Sequence, residues 1–348
     1  MIVRVHTSVP YDVHIGPGLL EQAGVLLKPI VKASKLMLVS DEVVYELYGR
    51  KAEDKLKEAG FQVFVCTFKN GEQSKNIQTL ADILEAAAEH GLTRKDAFVA
   101  LGGGVTGDIA GLAASIYMRG VDFIQIPTTL LAAVDASVGG KTAIDLPQGK
   151  NLAGTFWQPR LVLCDVDIIR SLPQSIFNNG MAEVMKHGVI GDEAILDCIE
   201  SGNVYEQLDW LIFRNVEIKC NVVERDEHEG GRRKILNFGH TIAHAIEKQS
   251  NYTVPHGIAV GTGMVYETRI AAGLGLCDEA FVEKLQGLSD TYKLFVSQDI
   301  TEEFINIMKR DKKNEDDRIA FALPSKSGGF ILKKLSIEQI GRALGLKQ

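Results

Sequence analysis

Three segments that lie far apart in the sequence contain residue types that bind a catalytic metal ion. Residues 180–188, 237–244 and 255–257 together supply the carboxylate of Glu183 and several histidine imidazoles. One carboxylate with two imidazoles is the ligand set of an open catalytic zinc site. A single Glu or His on a helix is more often structural, so the prediction of a metal enzyme depends on the three segments occurring together.

The middle segment contains a histidine pair, His240 and His244. Their i, i+4 spacing places both imidazoles on one face of a helix. The pair resembles the His-Glu-x-x-His motif of zinc proteases but lacks its glutamate, which argues against peptide hydrolysis. One or both histidines can bind metal, with His256 as a further nitrogen ligand and Glu183 as an oxygen ligand. Considered alone, a helical histidine pair is more often structural.

A glycine-rich segment predicts a phosphate-binding turn. Residues 102–108, Gly-Gly-Gly-Val-Thr-Gly-Asp, follow a predicted strand and begin a predicted helix. Backbone amides in such a turn approach a pyrophosphate without obstruction by side chains. The segment is not the Gly-x-Gly-x-x-Gly fingerprint, and alone it fits a simple tight turn equally well. Asp41, Thr128 and Thr129, at the ends of neighbouring predicted strands, favour a nucleotide site.

A second glycine segment, residues 137–142, resembles a P-loop. The first glycine that a P-loop requires is absent because Asp135 occupies that position, which argues against a nucleoside triphosphatase. Lys141 remains a candidate ligand for an anion. Lys150 and Asn151 can add an ammonium and an amide, although Lys150 considered alone is more often a solvated side chain.

The first half of the sequence alternates predicted strands with predicted helices. Apolar runs predict strands at residues 36–40, 62–67, 97–101 and 123–127, and an amphipathic pattern predicts a helix at residues 78–90. This alternation predicts a mostly parallel sheet covered by helices, with ligands at the carboxyl ends of the strands. Long helical periodicities dominate the second half. We therefore predict an α/β domain over residues 1–170 and an all-α domain over residues 171–348.

The composition is that of a folded protein of more than one domain. The 348 residues include 45% hydrophobic and 24% charged residues. A net charge of −7 argues against a nucleic-acid partner. The N-terminal residues lack the pattern of a signal peptide, and no apolar run reaches the length of a membrane span. The five cysteines are odd in number and scattered, which predicts reduced thiols in a cytoplasmic protein.

The order of these and other motifs resembles that of the 3-dehydroquinate synthases, a family of sugar-phosphate cyclases. The resemblance covers nearly the whole length of the chain. The matching motifs are residues 71–75, 102–104, 117–120, 127–129, 137–141, 149–151, 182–183, 226–227, 236–240 and 311–313. The resemblance implies a Rossmann-like NAD-binding α/β domain followed by an all-α domain that binds metal and substrate.

The resemblance also implies an activity. The reaction is the conversion of 3-deoxy-D-arabino-heptulosonate 7-phosphate to 3-dehydroquinate and phosphate, by a phosphate-eliminating carbon–oxygen lyase of the shikimate pathway of aromatic amino acid biosynthesis. The implied cofactors are NAD, which is regenerated within each turnover, and zinc or cobalt. The implied protein is a cytoplasmic homodimer whose partner is an anionic sugar-acid phosphate, with no nucleic-acid or membrane partner.

Residue roles follow from the same resemblance, position by position. The metal ligands would be Glu183, His240 and His256. The NAD site would comprise Asp41, Glu72, Lys75, Gly103, Gly104, Asp108, Thr128, Thr129, Lys141, Lys150 and Ser171. The substrate site would comprise Asp135, Lys141, Asn151, Lys186, Lys219, Glu229, Arg233, Asn237, His244 and Lys312, with Arg119 supplied by a neighbouring subunit.

The chain departs from the family pattern at few positions. Ser171 stands where threonine is frequent and Asp145 where asparagine is frequent, and neither position carries a necessary role. Spacing alone gives Lys219, Arg233 and the basic run at residues 309–313 no function beyond solvated charge. The acidic residues between 224 and 229 fit a solvated turn most simply.

Three alternatives remain open. Related cyclases that make scyllo-inosose or valiolone differ at the carboxylate-binding and glycine-loop positions, where Arg233, Asn237 and residues 139–141 keep the dehydroquinate pattern. A metal-dependent polyol dehydrogenase of similar architecture would release NADH at each turnover, whereas a cyclase would not. A binding protein that senses NAD or metal would release no phosphate from the heptulosonate.

Overall fold

The computed structural model describes residues 1–301, 304–305, 307–308, 318–325 and 329–345. The chain forms two compact units. The first contains Met1–Pro173 and Leu208–Glu227, and the second contains Gln174–Gln207 and His228–Gln348. The segment Leu208–Glu227 therefore packs in the first unit, whereas the sequence boundary at residue 170 placed it with the second half.

The strands of the first unit are β1 Ile2–Val5, β2 Tyr11–Gly16, β3 Lys35–Asp41, β4 Gln62–Phe68, β5 Ala97–Gly102, β6 Asp122–Pro127, β7 Lys141–Leu146, β8 Gly149–Phe156 and β9 Leu161–Asp165. Seven of them form one sheet in the order β1-β2-β9-β6-β5-β3-β4. All neighbours are parallel except β1 and β2. The four strands predicted from apolar runs are confirmed as β3, β4, β5 and β6.

The helices of the first unit are α1 Ala23–Leu27, α2 Glu42–Val44, α3 Arg50–Glu58, α4 Ile77–Glu89, α5 Gly104–Ile116 and α6 Val166–Arg170. Helix α9, Leu208–Arg225, also belongs to the first unit, whereas the intervening Gln174–Gln207 belongs to the second. A π-helical turn, Tyr45–Gly49, joins α2 to α3.

Helices cover both faces of the sheet, as alternation along β3 shows. Leu36 and Leu38 belong to one apolar core, with Leu56 of α3. Met37 and Val39 belong to the other core, with Ile83 of α4. Successive side chains of a strand point to opposite faces, so a strand buried on both sides has a continuous apolar sequence.

Helix α9 packs against the antiparallel edge of the sheet. The thiol of Cys220 contacts Arg4 O at 3.5 Å, and His6 N donates to Glu224 Oε1 at 2.6 Å. Glu227 accepts from Ser8 N at 2.8 Å, so the acidic residues near 224–229 are not simply a solvated turn. Helical periodicity predicts that α9 is a helix, but it carries no information about which unit the helix packs against.

The second unit is mostly helical. Its helices are α7 Gln174–Gly191, α8 Glu193–Glu200, α10 His240–Gln249, α11 His256–Gly273, α12 Glu279–Thr291 and α13 Ile337–Ala343. It also contains an antiparallel hairpin of β10 Arg318–Ser325 and β11 Gly329–Ser336, so the expectation of an all-α second half is corrected. Across the described residues, the helices include no segment with the length and hydropathy of a membrane span.

Candidate active site

Three helices of the second unit bring together one carboxylate and two imidazoles. Glu183 lies on α7 and is 1% exposed, His240 is the first residue of α10, and His256 is the first residue of α11. Glu183 Oε1 lies 3.6 Å from His240 Nε2 and 3.3 Å from His256 Nε2. Ligand atoms of a tetrahedral zinc site are about 3.3–3.4 Å apart when each metal–ligand distance is about 2.0–2.1 Å. The donor set and its spacing therefore fit a zinc or cobalt ion.

In both His240 and His256, the ring nitrogen that does not face Glu183 lies beside an oxygen atom. His240 Nδ1 lies 3.1 Å from Phe238 O, and His256 Nδ1 lies 3.3 Å from Glu247 Oε1. An Nδ1–H that donates to an oxygen leaves the Nε2 lone pair available for a metal, and this pairing is common around metal-binding histidines. Both Nε2 atoms are the ones that face Glu183.

A close contact between α7 and α11 fixes the position of His256. Gly257 N donates to Asn179 Oδ1 at 2.6 Å. A Cβ atom at Gly257 would lie 2.0 Å from Asn179 O, so no other residue allows this approach. Glycine at this position brings the first turn of α11 against the helix that carries Glu183.

The two histidines differ in protonation. Burial, followed by the positive charge of Lys186, holds the pKa of His240 well below its usual value, so this imidazole is neutral at pH 7. Burial also disfavours the charged form of His256, but hydrogen bonds to Glu183 and Glu247 outweigh it and raise the pKa of His256 to about 9. In the metal-free protein, His256 carries the proton that a metal ion must displace.

The carboxyl ends of β3, β5 and β6 form the expected edge in the first unit. Asp41 accepts from Val43 N and Val44 N and caps α2. Gly103 precedes α5 and provides no side-chain cap, so the N–H groups of that helix are available to an anion. A Cβ atom at Gly103 would lie 3.2 Å from Thr129 Cγ2, which places the glycine turn beside the end of β6.

Thr128 adds an unsatisfied group at this edge. Its backbone N–H donates to Gly102 O at 2.9 Å, while its buried Oγ1 has no hydrogen-bond partner among the described residues. Buried hydroxyls are usually paired, so an unpaired one indicates that a ligand supplies the partner. A helix N-terminus without a cap beside an unpaired hydroxyl fits the pyrophosphate of NAD.

A polar cluster lies next to this edge. Lys75 Nζ is 2.5 Å from Asp108 Oδ2 of α5 and 2.5 Å from Asn151 Oδ1 of β8. Lys150 Nζ lies 3.5 Å from Glu72 Oε1. Burial raises the pKa of Asp108, and the charge of Lys75 opposes that effect. The structure thus brings five predicted site residues together.

Helix α9 delivers Lys219 to the first unit. Its ammonium contacts both the carboxylate and the backbone carbonyl of Asp135. Lys141 begins strand β7 rather than a helix, which confirms that the segment is not a P-loop. Gly139 (φ +95°) and Gly140 (φ +70°) precede it, and Gly139 N donates to the Tyr11 hydroxyl at 3.1 Å. Spacing alone gave Lys219 no role beyond solvated charge, but it is 5% exposed.

The other predicted substrate-binding residues of the second unit are within a few residues of a candidate metal ligand in the sequence, or of each other. Lys186 forms an ion pair with Glu183, and Asn237 Nδ2 donates to Glu229 Oε1 at 3.2 Å. Arg233 is 1% exposed, although its sequence context fits a solvated charge. The ring of His244 packs edge-on against the ring of His240, with 5.8 Å between the ring centroids. Among the described residues, His244 is not part of a group whose ligand atoms are spaced for a metal ion.

Ser171 lies apart from these groups. It is at the end of α6, where its hydroxyl contacts the Tyr48 hydroxyl at 2.8 Å. The prediction for Lys312 falls on a residue outside the described part of the chain.

Several predicted site residues have a strained backbone. Arg119 (φ +68°), Asn151 (φ +55°) and Glu229 (φ +57°) occupy the left-handed region although none is glycine. Such conformations cost free energy and concentrate at functional sites. The strain supports a functional role for these three positions.

The structure also shows residues that sequence reasoning missed. Asp145 Oδ1 accepts from Asn151 N at 2.7 Å and so fixes a strained predicted site residue, although the family comparison gave position 145 no necessary role. Glu247 pairs with His256, a candidate metal ligand. Both look like ordinary surface acids in the sequence, and no spacing distinguishes them.

Comparisons with known proteins agree with this geometry. Residues 65–179 match the N-terminal model of 3-dehydroquinate synthase, and residues 180–314 match the C-terminal model. The chain belongs to the 3-dehydroquinate synthase family. The 3-dehydroquinate synthase of Rippkaea orientalis is 39% identical, over 99% of this chain and 96% of that protein. The Caldanaerobacter subterraneus protein of that name is 41% identical, over 93% and 94%.

Solved structures of related cyclases share the fold. A 2-deoxy-scyllo-inosose synthase with carbaglucose-6-phosphate, NAD⁺ and Co²⁺ has a TM-score of 0.89 at 28% identity, covering 99% of both chains. The 2-epi-5-epi-valiolone synthase of Streptomyces hygroscopicus subsp. jinggangensis, with NAD⁺ and Zn²⁺, has a TM-score of 0.87 at 27% identity, covering 98% of both. An iron-containing alcohol dehydrogenase, at 16% identity, covers 99% of both chains with a TM-score of 0.68 and shares the fold alone.

Proposed function

We propose that this chain converts 3-deoxy-D-arabino-heptulosonate 7-phosphate to 3-dehydroquinate and phosphate, as a phosphate-eliminating lyase. The observation that carries the proposal is the close approach of Glu183, His240 and His256, whose ligand atoms lie within 4.8 Å of one another, in a chain of this family. The reaction is a transient oxidation at C5, loss of phosphate, reduction, ring opening and aldol closure. It consumes no net oxidant.

The metal ligands proposed are those three residues. A bound divalent ion supplies Lewis-acid chemistry, lowering the pKa of a substrate hydroxyl and polarising the ketone derived from it. The protein contributes a fixed donor set. Burial keeps Glu183 out of water, and the Nδ1 contacts of His240 and His256 direct both Nε2 atoms toward it.

NAD is proposed to bind at the carboxyl edge of the sheet in the first unit. The uncapped N-terminus of α5 and the unpaired hydroxyl of Thr128 would take the pyrophosphate. The Lys75–Asp108 pair and Lys150 would hold the surrounding polar groups. When bound, NAD supplies hydride acceptance and return, and the protein's task is to retain the reduced form between the two transfers.

Buried cations of the second unit are proposed to bind anionic groups of the substrate. They are Lys186 and Arg233, each 1% exposed. Lysine and arginine form charge-assisted hydrogen bonds with carboxylate and phosphate groups. Such buried cations would allow a protein of net charge −7 to bind a multiply anionic sugar acid.

We also propose a homodimer in which Arg119 enters the site of the neighbouring subunit. The support is a strained and exposed turn: Met118 (φ +49°) and Arg119 (φ +68°) are both left-handed, and Met118 is 47% exposed. Exposed apolar side chains beside a strained arginine fit a contact with a second copy of the chain. Mixing inactive Arg119→Ala protein with inactive His256→Ala protein should restore activity, because one site of a mixed dimer is then complete.

The cytoplasmic location stays a proposal and rests on the cysteines. None of the five cysteines, all of which lie in the described part of the chain, forms a disulfide. Disulfides form mainly in oxidising compartments, so free cysteines favour a reducing one.

One assay tests the proposed reaction against its alternatives. The heptulosonate 7-phosphate, zinc and a small amount of NAD are mixed with the protein, and phosphate and absorbance at 340 nm are followed together. Phosphate should accumulate over many turnovers per NAD without a matching rise in NADH. Stoichiometric NADH would indicate a polyol dehydrogenase, and no phosphate would indicate a binding protein.

A related cyclase activity is the second candidate, because those structures share the fold closely. Substrates of those cyclases lack the carboxylate. Buried Arg233 favours the dehydroquinate substrate, because a guanidinium binds a carboxylate through two parallel charge-assisted hydrogen bonds. Turnover of a phosphorylated sugar without the carboxylate, at a rate equal to that of the heptulosonate, would contradict this assignment.

A further inference from the structure

Helix α10 begins without a side-chain cap of its own. The residue before it is Gly239, which has φ +81° and no side chain. The acceptors come instead from Glu267 on α11. Glu267 Oε2 accepts from Gly239 N at 2.9 Å, and Oε1 accepts from Thr241 N at 3.1 Å and from Ile242 N at 3.3 Å. One carboxylate therefore holds the backbone on both sides of the metal ligand His240.

The environment of Glu267 explains how its carboxylate can be buried. Glu267 is 0% exposed. A buried carboxylate is costly unless hydrogen bonds compensate it, and three backbone donors at the positive end of a helix do so. The side chain thus binds the first turn of α10 and satisfies donors that Gly239 leaves without a cap.

Backbone packing at the same point leaves little freedom of movement. A Cβ atom at Gly263 of α11 would lie 1.9 Å from Gly239 O, and one at Gly239 would lie 2.6 Å from Met264 Cγ. The turn that carries His240 therefore lies in direct contact with α11. Repacking of side chains cannot easily restore its position once the hydrogen bonds of Glu267 are lost.

The reverse contact runs from α10 to α11. Glu247 on α10 is 3% exposed, and its Oε1 lies 3.3 Å from Nδ1 of His256, the first residue of α11. Each helix thus carries one metal ligand and one buried carboxylate that holds the ligand of the other helix.

We propose that Glu267 and Glu247 are positioning residues of the metal centre and act as a reciprocal pair. Glu267 sets the position of His240 through the backbone, and Glu247 sets the orientation of His256 through its imidazole. Neither is a proposed metal ligand. The inference rests on the proposed function only in that His240 and His256 bind a divalent ion.

The test measures metal binding rather than turnover. Glu267→Gln keeps the size of the side chain, but its amide NH₂ faces backbone N–H donors, so part of the three-bond contact must be lost. The matched control is Asp192→Ala, which removes the carboxylate that caps α8 through Ala194 N at 3.1 Å. Helix α8 lies in the same unit and carries no proposed ligand.

Zinc affinity is measured by competition with a chromophoric chelator, and the visible spectrum of the cobalt-loaded protein reports ligand geometry. Circular dichroism confirms that each variant is folded. We expect Glu267→Gln to bind zinc about 10- to 100-fold more weakly and to shift the cobalt spectrum. Asp192→Ala should lower the melting temperature without either change. Glu267→Asp, which keeps the charge, should bind zinc with intermediate affinity.

A folded Glu267→Gln protein with wild-type zinc affinity and cobalt spectrum would overturn the proposal, whatever its melting temperature. If Glu267→Gln does not fold, the zinc affinity of Glu247→Gln tests the proposal instead. This variant keeps an oxygen acceptor for Nδ1–H but lacks the charge. After the affinities are corrected for the proton that zinc displaces from His256, we expect about tenfold weaker zinc binding. An unchanged corrected affinity would also refute the proposed role of the two glutamates. Zinc binding is measured without substrate or NAD, so tight binding without phosphate release would overturn only the proposed function.

Discussion

Metal binding should release a proton from His256 at pH values where an ordinary histidine is already neutral. In the metal-free protein, Glu183 and Glu247 outweigh burial and raise the pKa of His256 to about 9. The metal requires the neutral imidazole. Proton competition at His256 should therefore lower the apparent zinc affinity about tenfold for each pH unit below 9. At pH 7, the apparent zinc affinity should be about 100-fold lower than it is without this competition.

The contrast with an unperturbed histidine is largest near pH 8. There a group of pKa about 9 releases about 0.9 proton on metal binding, whereas a group of pKa about 6.5 releases about 0.03. His240 adds no proton, because its pKa is lowered and it is already neutral. The raised pKa of His256 also stabilises the folded metal-free protein. This stabilisation is fully present at pH values below about 6.5, the pKa of an unfolded histidine, and it is lost as the pH rises through about 9.

Two measurements check the prediction. Proton NMR of the metal-free protein gives the titration of the His256 ring, assigned with His256→Ala. Calorimetric zinc titrations in buffers of different ionisation enthalpy give the number of protons released. Glu247→Ala serves as the control, since it should lower both the pKa of His256 and the release at pH 8 without changing any metal-bound water. A His256 midpoint near 6.5 would refute the reasoning.

Three further predictions concern the rest of the site. Lys75→Met should lower the free energy of unfolding in urea by about 3–5 kcal/mol, because it leaves the Asp108 carboxylate without its ion-pair partner. Adding Asp108→Asn to Lys75→Met should recover much of the lost stability. Equal stability of the single and the double variant would contradict this pairing. Thr128→Val should leave folding stability nearly unchanged, since Oγ1 has no partner in the described part of the chain, yet weaken NAD binding measured by calorimetry. Arg233→Ala should weaken substrate binding by about 2–5 kcal/mol, with a much smaller loss for an analogue without the carboxylate.

Sequence patterns predicted the elements whose signal is local. Strands β3, β4, β5 and β6 are apolar on both faces, and the amphipathic helix at residues 78–90 corresponds to α4. Glycine, threonine and aspartate at strand ends predicted that these residues share one edge of the sheet, and the neighbouring strands β3, β5 and β6 place them there. These signals depend on neighbours within a few residues, so they can be read directly from the chain.

Features set by packing between distant segments were not predicted. Helix α9 looks like other helices of the second half in sequence, but its side chains contact Arg4, His6 and Asp135 of the first unit. The hairpin of β10 and β11 follows a long helical region and was missed. Lys219 and Arg233 resemble solvated charges in sequence, because burial of a charge depends on the tertiary structure around it.

Formal charges around the proposed metal ligands suit a divalent ion. The buried carboxylates of Glu183, Glu247 and Glu267 bring three negative charges, and Lys186 brings one positive charge. The proton on His256 offsets one more, so these five described groups together have a formal charge of minus one without metal. Exchange of that proton for a divalent cation makes the cluster neutral. Because buried net charge is costly, the acids that position the two histidines also favour binding of the metal.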